Sequence, residues 1–368
     1  MKIFLLIPAL ILSLCSAAAP KETVTPASDA RITYVGRTCV QGGDVSFDWT
    51  GVYLRLAFEG RYLAVRVSDT HKNYYNVWLD RDMAGEPDKV VSTFGRDSLI
   101  VLFDEKDIPS RGSHRVILQK RTEAEQGRTT LHSFTTRGDL LQAEGLRPRL
   151  LEFVGDSYTC GYGAENSVRT DPFKPETENQ NKTYAAILSR YFGADRLVIA
   201  HSGQGIARNY GDGGRGLHMP DRYGYVFDCD PSAGTWDAAS HPYRPDMTII
   251  YLCTNDFSTG RQPTAGEFTA HYRRLLEAVK ANYGPAHKIL CVAGPGDPLM
   301  PQYVQAAVAA SGMEQVWAVN LCPMGLDSDG DLGASWHPSY AGHRKWAHAL
   351  LPYVATITGW PLEDKVLK

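Results

Sequence analysis

The hydrophobic pattern of this 368-residue chain changes its period once, near residues 146–148. Before that point apolar and polar residues alternate, as in segments 54–58 and 63–67, and turn residues such as Glu59-Gly60 recur about every ten residues. Alternation with period two is typical of strands that bury one face and expose the other. Residues 30–140 are therefore predicted to form an all-β sandwich without a helix of useful length.

Beyond that point the apolar runs are nearly continuous, as expected of parallel strands covered on both faces. Between them lie segments with helical spacing, at residues 184–191, 266–283, 302–311 and 339–357. Alternating strands and helices predict an open α/β sheet over residues 147–368. In such sheets reactive groups lie at the carboxyl ends of the strands, so the residues that follow each run are the candidates for a site.

The first 19 residues have the pattern of a cleaved secretory signal. Lys2 precedes an apolar run over residues 3–14, and small residues follow at 16–19. We therefore expect a secreted or periplasmic protein with no transmembrane segment in the mature chain. Cys15 leaves a lipoprotein open, although the residue before it is leucine, where a small residue is normal.

Charge and cysteine spacing exclude several classes of protein. Lysine and arginine number 38 against 41 acidic residues, for a net charge of -3 without a basic block, which argues against nucleic acid as a partner. The cysteines beyond the signal are widely spaced and form no CxxC pair, so neither a disulfide framework nor a metal site is predicted. They are Cys39, Cys160, Cys229, Cys253, Cys291 and Cys322.

A serine follows the first continuous apolar run directly. The run ends at Gly155, and Asp156-Ser157 comes next, where a hydroxyl can be exposed at the top of the sheet. Ser157 is thus a candidate nucleophile. Turns between a strand and a helix also favour glycine, aspartate and serine for capping alone, so this motif is weak evidence by itself.

The next two runs end in sequences that can supply hydrogen-bond donors. HSGQG follows the second run at 201–205, and TND follows the third at 254–256. A glycine N–H from the second turn and the Asn255 amide can point at one position above Ser157, where they would stabilise the oxyanion of an acyl-transfer intermediate. Tight-turn glycines and a capping asparagine are the alternative explanation.

A histidine stands just before the last predicted helix, in the sequence SWHPS. His337 can serve as general base for Ser157 if its loop folds back over the strand ends. The alternative is a surface or capping histidine.

These motifs, in this order, resemble the four-block pattern of the SGNH, or GDSL-type, hydrolases. A β-sandwich followed by GDSYTCGYG, HSGQGIARNYG, TNDFS and SWHPS further resembles carbohydrate esterase family 2, secreted acetyl esterases that act on plant-wall polysaccharides. The resemblance implies a jelly-roll-like sandwich and a three-layer α/β/α domain around a parallel sheet. It also implies no cofactor and removal of O-acetyl groups from xylan, glucomannan or related glycans.

The resemblance also assigns roles to single residues. Ser157 would be the nucleophile, with its own N–H as the first oxyanion donor. Gly205, or less favourably Gly203, would be the second donor and Asn255 the third. His337 would be the base.

The chain departs from the pattern at the residue that orients the base. An aspartate is usual three or two residues before the histidine, but these positions hold Ala334 and Ser335. We therefore hypothesise a Ser157–His337 dyad whose ring N–H is held by a backbone carbonyl or by Ser335. The alternative recruits an acid from the preceding loop, namely Asp331, Asp329 or Asp327.

The substrate contacts are less sharply indicated. Tyr210 follows the second turn and Trp236 precedes the third strand, and either can stack on a sugar ring or pack in a core. Two other functions stay open: an SGNH esterase or lipase on another acyl ester, and a glycan-binding protein with an inactive hydrolase domain. The stretch 207–243 is rich in polar and aromatic residues and shows no apolar lid, which disfavours a long-chain lipase.

Overall fold

The computed structural model describes residues 21–211, 215–258, 260–294, 296–326 and 328–368. The predicted signal peptide lies outside the described residues. Among the helices that are described, none is both long enough and apolar enough to span a bilayer.

The N-terminal unit is built from antiparallel strands, as predicted. They are β1 (Thr23–Pro26), β2 (Thr33–Val35), β3 (Cys39–Gln41), β4 (Asp44–Phe47), β5 (Tyr53–Glu59), β6 (Leu63–Leu79), β7 (Lys89–Phe103), β8 (Ser113–Lys120), β9 (Thr129–Thr136) and β10 (Leu140–Leu141). The sheet runs in the order β10-β5-β8-β6-β9-β4-β3, with β1, β2 and β7 attached to β9, β5 and β6. All these strands therefore belong to one continuous sheet rather than to two separate ones.

Strand β6 corrects one prediction from the sequence. The strand-like runs at residues 62–69 and 74–80 are separated by the polar residues 70–73, so the sequence predicts two strands here. In the structure the chain continues through them as a single strand, with register shifts against β7 between Val67 and Lys72. The polar segment is therefore an irregularity within a long strand.

The outer face of β5 is buried, although one wet face per sheet was expected. Arg55 forms an ion pair with Asp195 of the C-terminal unit, and the Tyr53 hydroxyl donates to the same carboxylate at 2.7 Å. Both side chains are buried. This face is covered by the second unit, so the alternating pattern here marks an interface rather than a surface.

The C-terminal unit has a parallel sheet of order β12-β11-β13-β14-β15. Its strands are β11 (Leu150–Gly155), β12 (Asp195–Ala200), β13 (Met247–Tyr251), β14 (Lys288–Ala293) and β15 (Val316–Asn320). The helices are α1 (Ser157–Cys160), α2 (Tyr184–Phe192), α3 (Met219–Arg222), α4 (Thr254–Ser258), α5 (Ala265–Tyr283), α6 (Met300–Ser311) and α7 (Tyr340–Thr358). The predicted α/β sheet is confirmed, and the four predicted helices match α2, α5, α6 and α7.

Adjacent residues on each central strand face opposite layers, which explains the continuous apolar runs. One face packs against α5 and α6 in a cluster that includes Val154, Ile250, Phe268, Leu275 and Val304. The other packs against α2 and α7 in a cluster that includes Phe153, Ile249, Ile187, Trp346 and Leu350. The result is three layers, with the loops after β11, β12 and β13 on one edge of the sheet.

Candidate active site

Ser157 is the first residue of α1, directly after β11. Asp156 caps this helix by accepting from the Tyr158 N–H at 3.1 Å. A Cβ on Gly155 would lie 2.0 Å from the Thr159 hydroxyl oxygen, so only glycine fits before the turn. The Ser157 N–H, in the first turn of the helix, has no intrahelical acceptor and remains available as a donor.

His337 contacts Ser157 across the edge of the sheet. Its Nε2 lies 2.8 Å from the Ser157 hydroxyl oxygen, and its Nδ1 lies 2.9 Å from the Ser335 carbonyl oxygen. Because a carbonyl can only accept, Nδ1 carries the proton and the Nε2 lone pair faces the serine hydroxyl. This is the arrangement in which a neutral histidine accepts a proton from serine.

The partner of Nδ1 is the backbone carbonyl anticipated in the dyad hypothesis. Asp331 is paired with Lys345 at 2.6 Å, and Asp329 forms an ion pair with Arg169. Asp327 lies outside the described residues. Neither described carboxylate is a hydrogen-bond partner of His337.

The residue three before the base has no room for a carboxylate. Ala334 is fully buried, and a Cβ on Gly163 would come within 2.7 Å of the Ala334 Cβ. The loop that follows Ser157 therefore packs directly against the loop that carries His337.

Two successive residues before His337 have left-handed backbones. Ser335 has φ +52° and Trp336 has φ +63°, a conformation that non-glycine residues rarely adopt. Their N–H groups donate to the carbonyls of Asp171 at 2.9 Å and Arg169 at 3.0 Å. These two bonds stabilise a turn that directs the Ser335 carbonyl back to the imidazole.

Aromatic rings hold the imidazole on its other sides. Tyr162 packs on His337 with ring centroids 4.3 Å apart, and Phe173 stacks on Tyr162 at 3.9 Å. Tyr158 meets the imidazole edge-on at 5.3 Å. The ring orientation is thus fixed by packing as well as by its hydrogen bonds.

Burial changes the protonation of the groups around Ser157. It lowers the pKa of His337 to about 4, although the backbone at Ser335 and Ala334 acts in the opposite direction. His337 is therefore neutral at pH 7. Burial also raises the pKa of Asp156 to about 7.

The turn after β12 favours Gly203, the alternative, over Gly205 as the second oxyanion donor. The Gly205 N–H already donates to the Asn209 side chain at 3.1 Å, and a Cβ on Gly205 would lie 1.9 Å from the Arg208 carbonyl. Gly205 is thus a tightly packed turn residue with an occupied N–H. Gly203, the alternative, has φ +76°, and its N–H has no partner within the described part of the chain.

Asn255 reaches the same turn from α4. Its Nδ2 donates to the Gln204 carbonyl at 2.9 Å and faces an Asp156 oxygen at 3.4 Å. The longer contact is weak, so one N–H of the amide can be redirected to a developing oxyanion.

Asp256, the neighbour of Asn255, has a role that the sequence did not indicate. Its carboxylate accepts from the N–H groups of Ile206, Ala207 and Arg208 at 2.7 to 2.8 Å. It therefore stabilises the turn that contains Gly205.

The two predicted sugar-stacking residues have different surroundings. Tyr210 is 64% exposed, and its N–H donates to the Gly203 carbonyl at 2.8 Å, so it lies beside the candidate oxyanion turn. Trp236 is only 7% exposed and is stacked on His241 at 3.7 Å. Trp236 thus packs within the protein here, and its sugar contact stays a prediction that this packing disfavours.

Trp336 is an exposed aromatic residue that the sequence interpretation passed over. It is 57% exposed and directly precedes His337. The Arg169 guanidinium packs over its ring at 4.9 Å. The signal in the sequence is a tryptophan directly before the histidine of the SWHPS motif.

Two groups of side chains near the site have the spacing of metal ligands: His201 with Asp228 and Cys229, and Glu123 with Cys160 and Glu178. Both ring nitrogens of His201 already face carboxylates, at 2.5 Å from Asp228 and 3.2 Å from Glu125. The Glu123 carboxylate accepts from Ser202 and from the Cys160 thiol, whereas Oε1 of Glu178 is buried without a hydrogen-bond partner among the described residues.

Both units of the chain match known proteins. Residues 34–143 match the family model described as carbohydrate esterase 2 N-terminal, and residues 153–345 match the GDSL-like lipase/acylhydrolase family. A family two carbohydrate esterase from Clostridium thermocellum, solved with cellohexaose, is 32% identical with a TM-score of 0.80. The superposition covers 90% of this chain and 100% of that one.

Two curated relatives are also similar. The cellulase/esterase CelE of Acetivibrio thermocellus is 34% identical over 85% of this chain, which spans only 38% of that longer protein. An acetylxylan esterase/glucomannan deacetylase of Cellvibrio japonicus is 27% identical over 84% of this chain and 85% of its own length. The chain belongs to carbohydrate esterase family 2, with a GDSL-like hydrolase unit that carries Ser157 and His337.

Proposed function

We propose that this protein is a serine esterase that removes O-acetyl groups from plant cell-wall glycans such as xylan and glucomannan. The observation that carries the proposal is the 2.8 Å contact between the Ser157 hydroxyl and Nε2 of a neutral His337. The named activities of the relatives support the choice of an acetyl ester and of these glycans. No step of the reaction requires a cofactor.

The reaction begins when the Ser157 oxygen attacks the acetyl carbonyl while His337 Nε2 accepts the hydroxyl proton. The N–H groups of Ser157 and Gly203 and the amide of Asn255 stabilise the oxyanion that forms. Collapse of this intermediate breaks the bond to the sugar oxygen, which takes the proton from His337. An acetyl-serine remains, and water attacks it by the same sequence to release acetate.

The imidazolium that forms in each step is stabilised by a neutral group. The Ser335 carbonyl accepts from Nδ1, whereas a triad would supply a carboxylate at this position. We therefore expect the ring to be well oriented but its positive charge to be less stabilised than in a triad. A less stabilised imidazolium suits an ester substrate, because an alcohol leaves the tetrahedral intermediate more readily than an amine does.

The surface beside the site suits a sugar chain. Trp336 and Tyr210 offer exposed aromatic faces close to His337 and Gly203, and flat rings of this kind pack well on sugar rings. The signal-like sequence at residues 1–19 supports export, which would bring the protein to extracellular glycans.

Acetate release from acetylated xylan, acetylated glucomannan and p-nitrophenyl acetate tests the proposal. Wild type, Ser157→Ala, His337→Ala and the exposed control Ser232→Ala would be compared. We expect release by wild type and the control, and losses on the order of 10³-fold or more in the two site variants. Hydrolysis of the small ester alone would indicate another acyl ester, whereas glycan binding without any turnover would indicate a binding protein.

A further inference from the structure

The N-terminal unit reaches the candidate active site through the loop between β8 and β9. Glu123 of this loop is 1% exposed and lies against the turn after β12. One carboxylate oxygen accepts from the Ser202 N–H at 2.7 Å, and the other accepts from the Ser202 hydroxyl at 2.6 Å. A single side chain of one unit thus binds both the backbone and the side chain of one residue in the other.

A second carboxylate from the same loop binds the preceding residue. Glu125 lies 3.2 Å from Nε2 of His201, and Asp228 lies 2.5 Å from Nδ1. Burial opposes charge on this imidazole, but Asp228, Cys229 and Glu125 together raise the pKa of His201 to about 12. His201 is therefore a cation, bound between a carboxylate from each unit.

Ser202 directly precedes Gly203, the candidate second oxyanion donor. The peptide group between them carries the Gly203 N–H, so the position of Ser202 determines where that N–H points. On the other side of Gly203, its carbonyl accepts from the Tyr210 N–H at 2.8 Å. Glu123 binds Ser202 and Tyr210 binds Gly203, so both residues that flank the Gly203 N–H are held in place.

The position of Glu123 is itself tightly determined. Its N–H donates to Glu178 at 3.2 Å, and its carbonyl accepts from the buried Lys120 ammonium at 2.9 Å. Its carboxylate, however, forms no ion pair with the described residues and accepts from neutral donors only, the two groups of Ser202 and the Cys160 thiol at 3.5 Å. Burying a carboxylate in this way costs desolvation free energy. Glu123 therefore serves to position the turn rather than to stabilise the contact between the two units.

The geometry points to Glu123 as a positioning residue that the N-terminal unit supplies to the oxyanion hole, with Glu125 in a supporting role at His201. This inference rests on the proposed function, because it concerns the placement of the Gly203 N–H during acyl transfer. It assigns the N-terminal unit a part in catalysis that does not require it to bind glycan.

The experiment uses the full chain with Glu123→Ala, Glu123→Gln and Ser202→Ala. The control is Glu176→Gln, which changes a hydrogen bond from Tyr74 at 2.7 Å in the same interface but does not contact the turn. Three quantities would be measured: kcat and KM for p-nitrophenyl acetate, the rate at which a fluorophosphonate labels Ser157, and the thermal unfolding midpoint. The labelling reaction forms an oxyanion-like adduct on the serine and does not depend on the natural glycan.

We expect Glu123→Ala to lower kcat and the labelling rate by about 10- to 100-fold with little change in KM, since losing an oxyanion donor outright costs about 10²- to 10³-fold. Glu123→Gln should restore kcat to within about fivefold of wild type, because its amide oxygen accepts from the Ser202 N–H and its NH₂ donates to the hydroxyl. The Glu176→Gln control should match wild type.

A folded Glu123→Ala protein with wild-type kcat and labelling rate would overturn the inference. If that variant fails to fold, Ser202→Ala decides: a loss of about threefold or more in both rates with an unchanged midpoint supports the inference, and unchanged rates overturn it. A wild-type protein that neither hydrolyses esters nor reacts with the fluorophosphonate would remove the proposed function and this inference together. The two failures are therefore distinguishable.

Discussion

Nδ1 of His337 donates to the backbone carbonyl of Ser335 at 2.9 Å, two residues earlier in the same loop. A side chain that orients a base can be lost by one substitution, whereas a carbonyl is present whatever residue occupies the position. What the sequence must preserve here is the left-handed backbone at Ser335, with φ +52°. Position 335 therefore requires a residue that can adopt a left-handed backbone, rather than one particular side chain.

Ser335→Ala should keep kcat/KM within about threefold of wild type, because the hydroxyl is removed while the accepting carbonyl stays. Ser335→Val provides the contrast. A β-branched residue is disfavoured in a left-handed backbone by about 1–2 kcal/mol, so this variant should lower both the free energy of unfolding and kcat. Denaturant unfolding and ester hydrolysis would be measured on both proteins. A large loss in Ser335→Ala with intact folding would show that the hydroxyl matters.

The pH profile of kcat/KM should have its acid limb near pH 4. Burial lowers the pKa of His337 to about 4, so the neutral base predominates above that pH and is lost by protonation below it. An ordinary histidine, with a pKa near 6.5, would lose activity already at about pH 6 to 7. Intrinsic fluorescence at each pH would establish that the protein is still folded.

One neighbouring group serves as an internal control for this profile. Burial raises the pKa of Asp156 to about 7, and this residue caps the helix that begins with Ser157. A limb near pH 7 that disappears in Asp156→Asn would belong to this carboxyl group. A limb near pH 6 to 7 that persists in Asp156→Asn would contradict the depressed pKa of His337.

Asp331→Asn should have nearly wild-type turnover. The carboxylate of Asp331 is bound to Lys345 at 2.6 Å rather than to the base. Because Lys345 is half exposed, the ion pair should contribute no more than about 1 kcal/mol to the free energy of unfolding. Steady-state kinetics and thermal unfolding check both parts. A loss approaching 10⁴-fold in kcat, the usual cost of losing a triad acid, would mean that the loop rearranges during catalysis.

The residues at the edge of the parallel sheet were predictable because the topology itself brings them together. Ser157 follows β11 and Asn255 follows β13, and these strands are adjacent in the sheet. Any chain with that strand order places the two residues at the same edge. The contact of His337 with Ser157 depends on a loop, but Pro338 and the capping Ser339 after it predict a short, stiff connection into α7.

What the sequence left undetermined depends on contacts between distant segments. Glu123 and Ser202 are 79 residues apart and belong to different units, so no local pattern relates them. Trp236 has a side chain that could stack on a sugar ring, but it stacks on His241 and belongs to a buried cluster. The choice between Gly203 and Gly205 required knowing that the Asn209 side chain already occupies one of the two N–H groups.

Trp336→Ala should separate activity on polymers from activity on small esters. Its indole is 57% exposed beside the base, so it is available to a sugar ring next to the scissile acetyl group but is not needed by p-nitrophenyl acetate. Losing an aromatic contact worth about 1–2 kcal/mol should raise KM for acetylated xylan or glucomannan by about 5- to 30-fold. Hydrolysis of p-nitrophenyl acetate should change little.

Trp317→Ala is the matched control, because Trp317 is another exposed tryptophan but lies on β15, the edge strand farthest from β11. Equal effects of the two substitutions on the polymer KM would mean that Trp336 is not part of the glycan site.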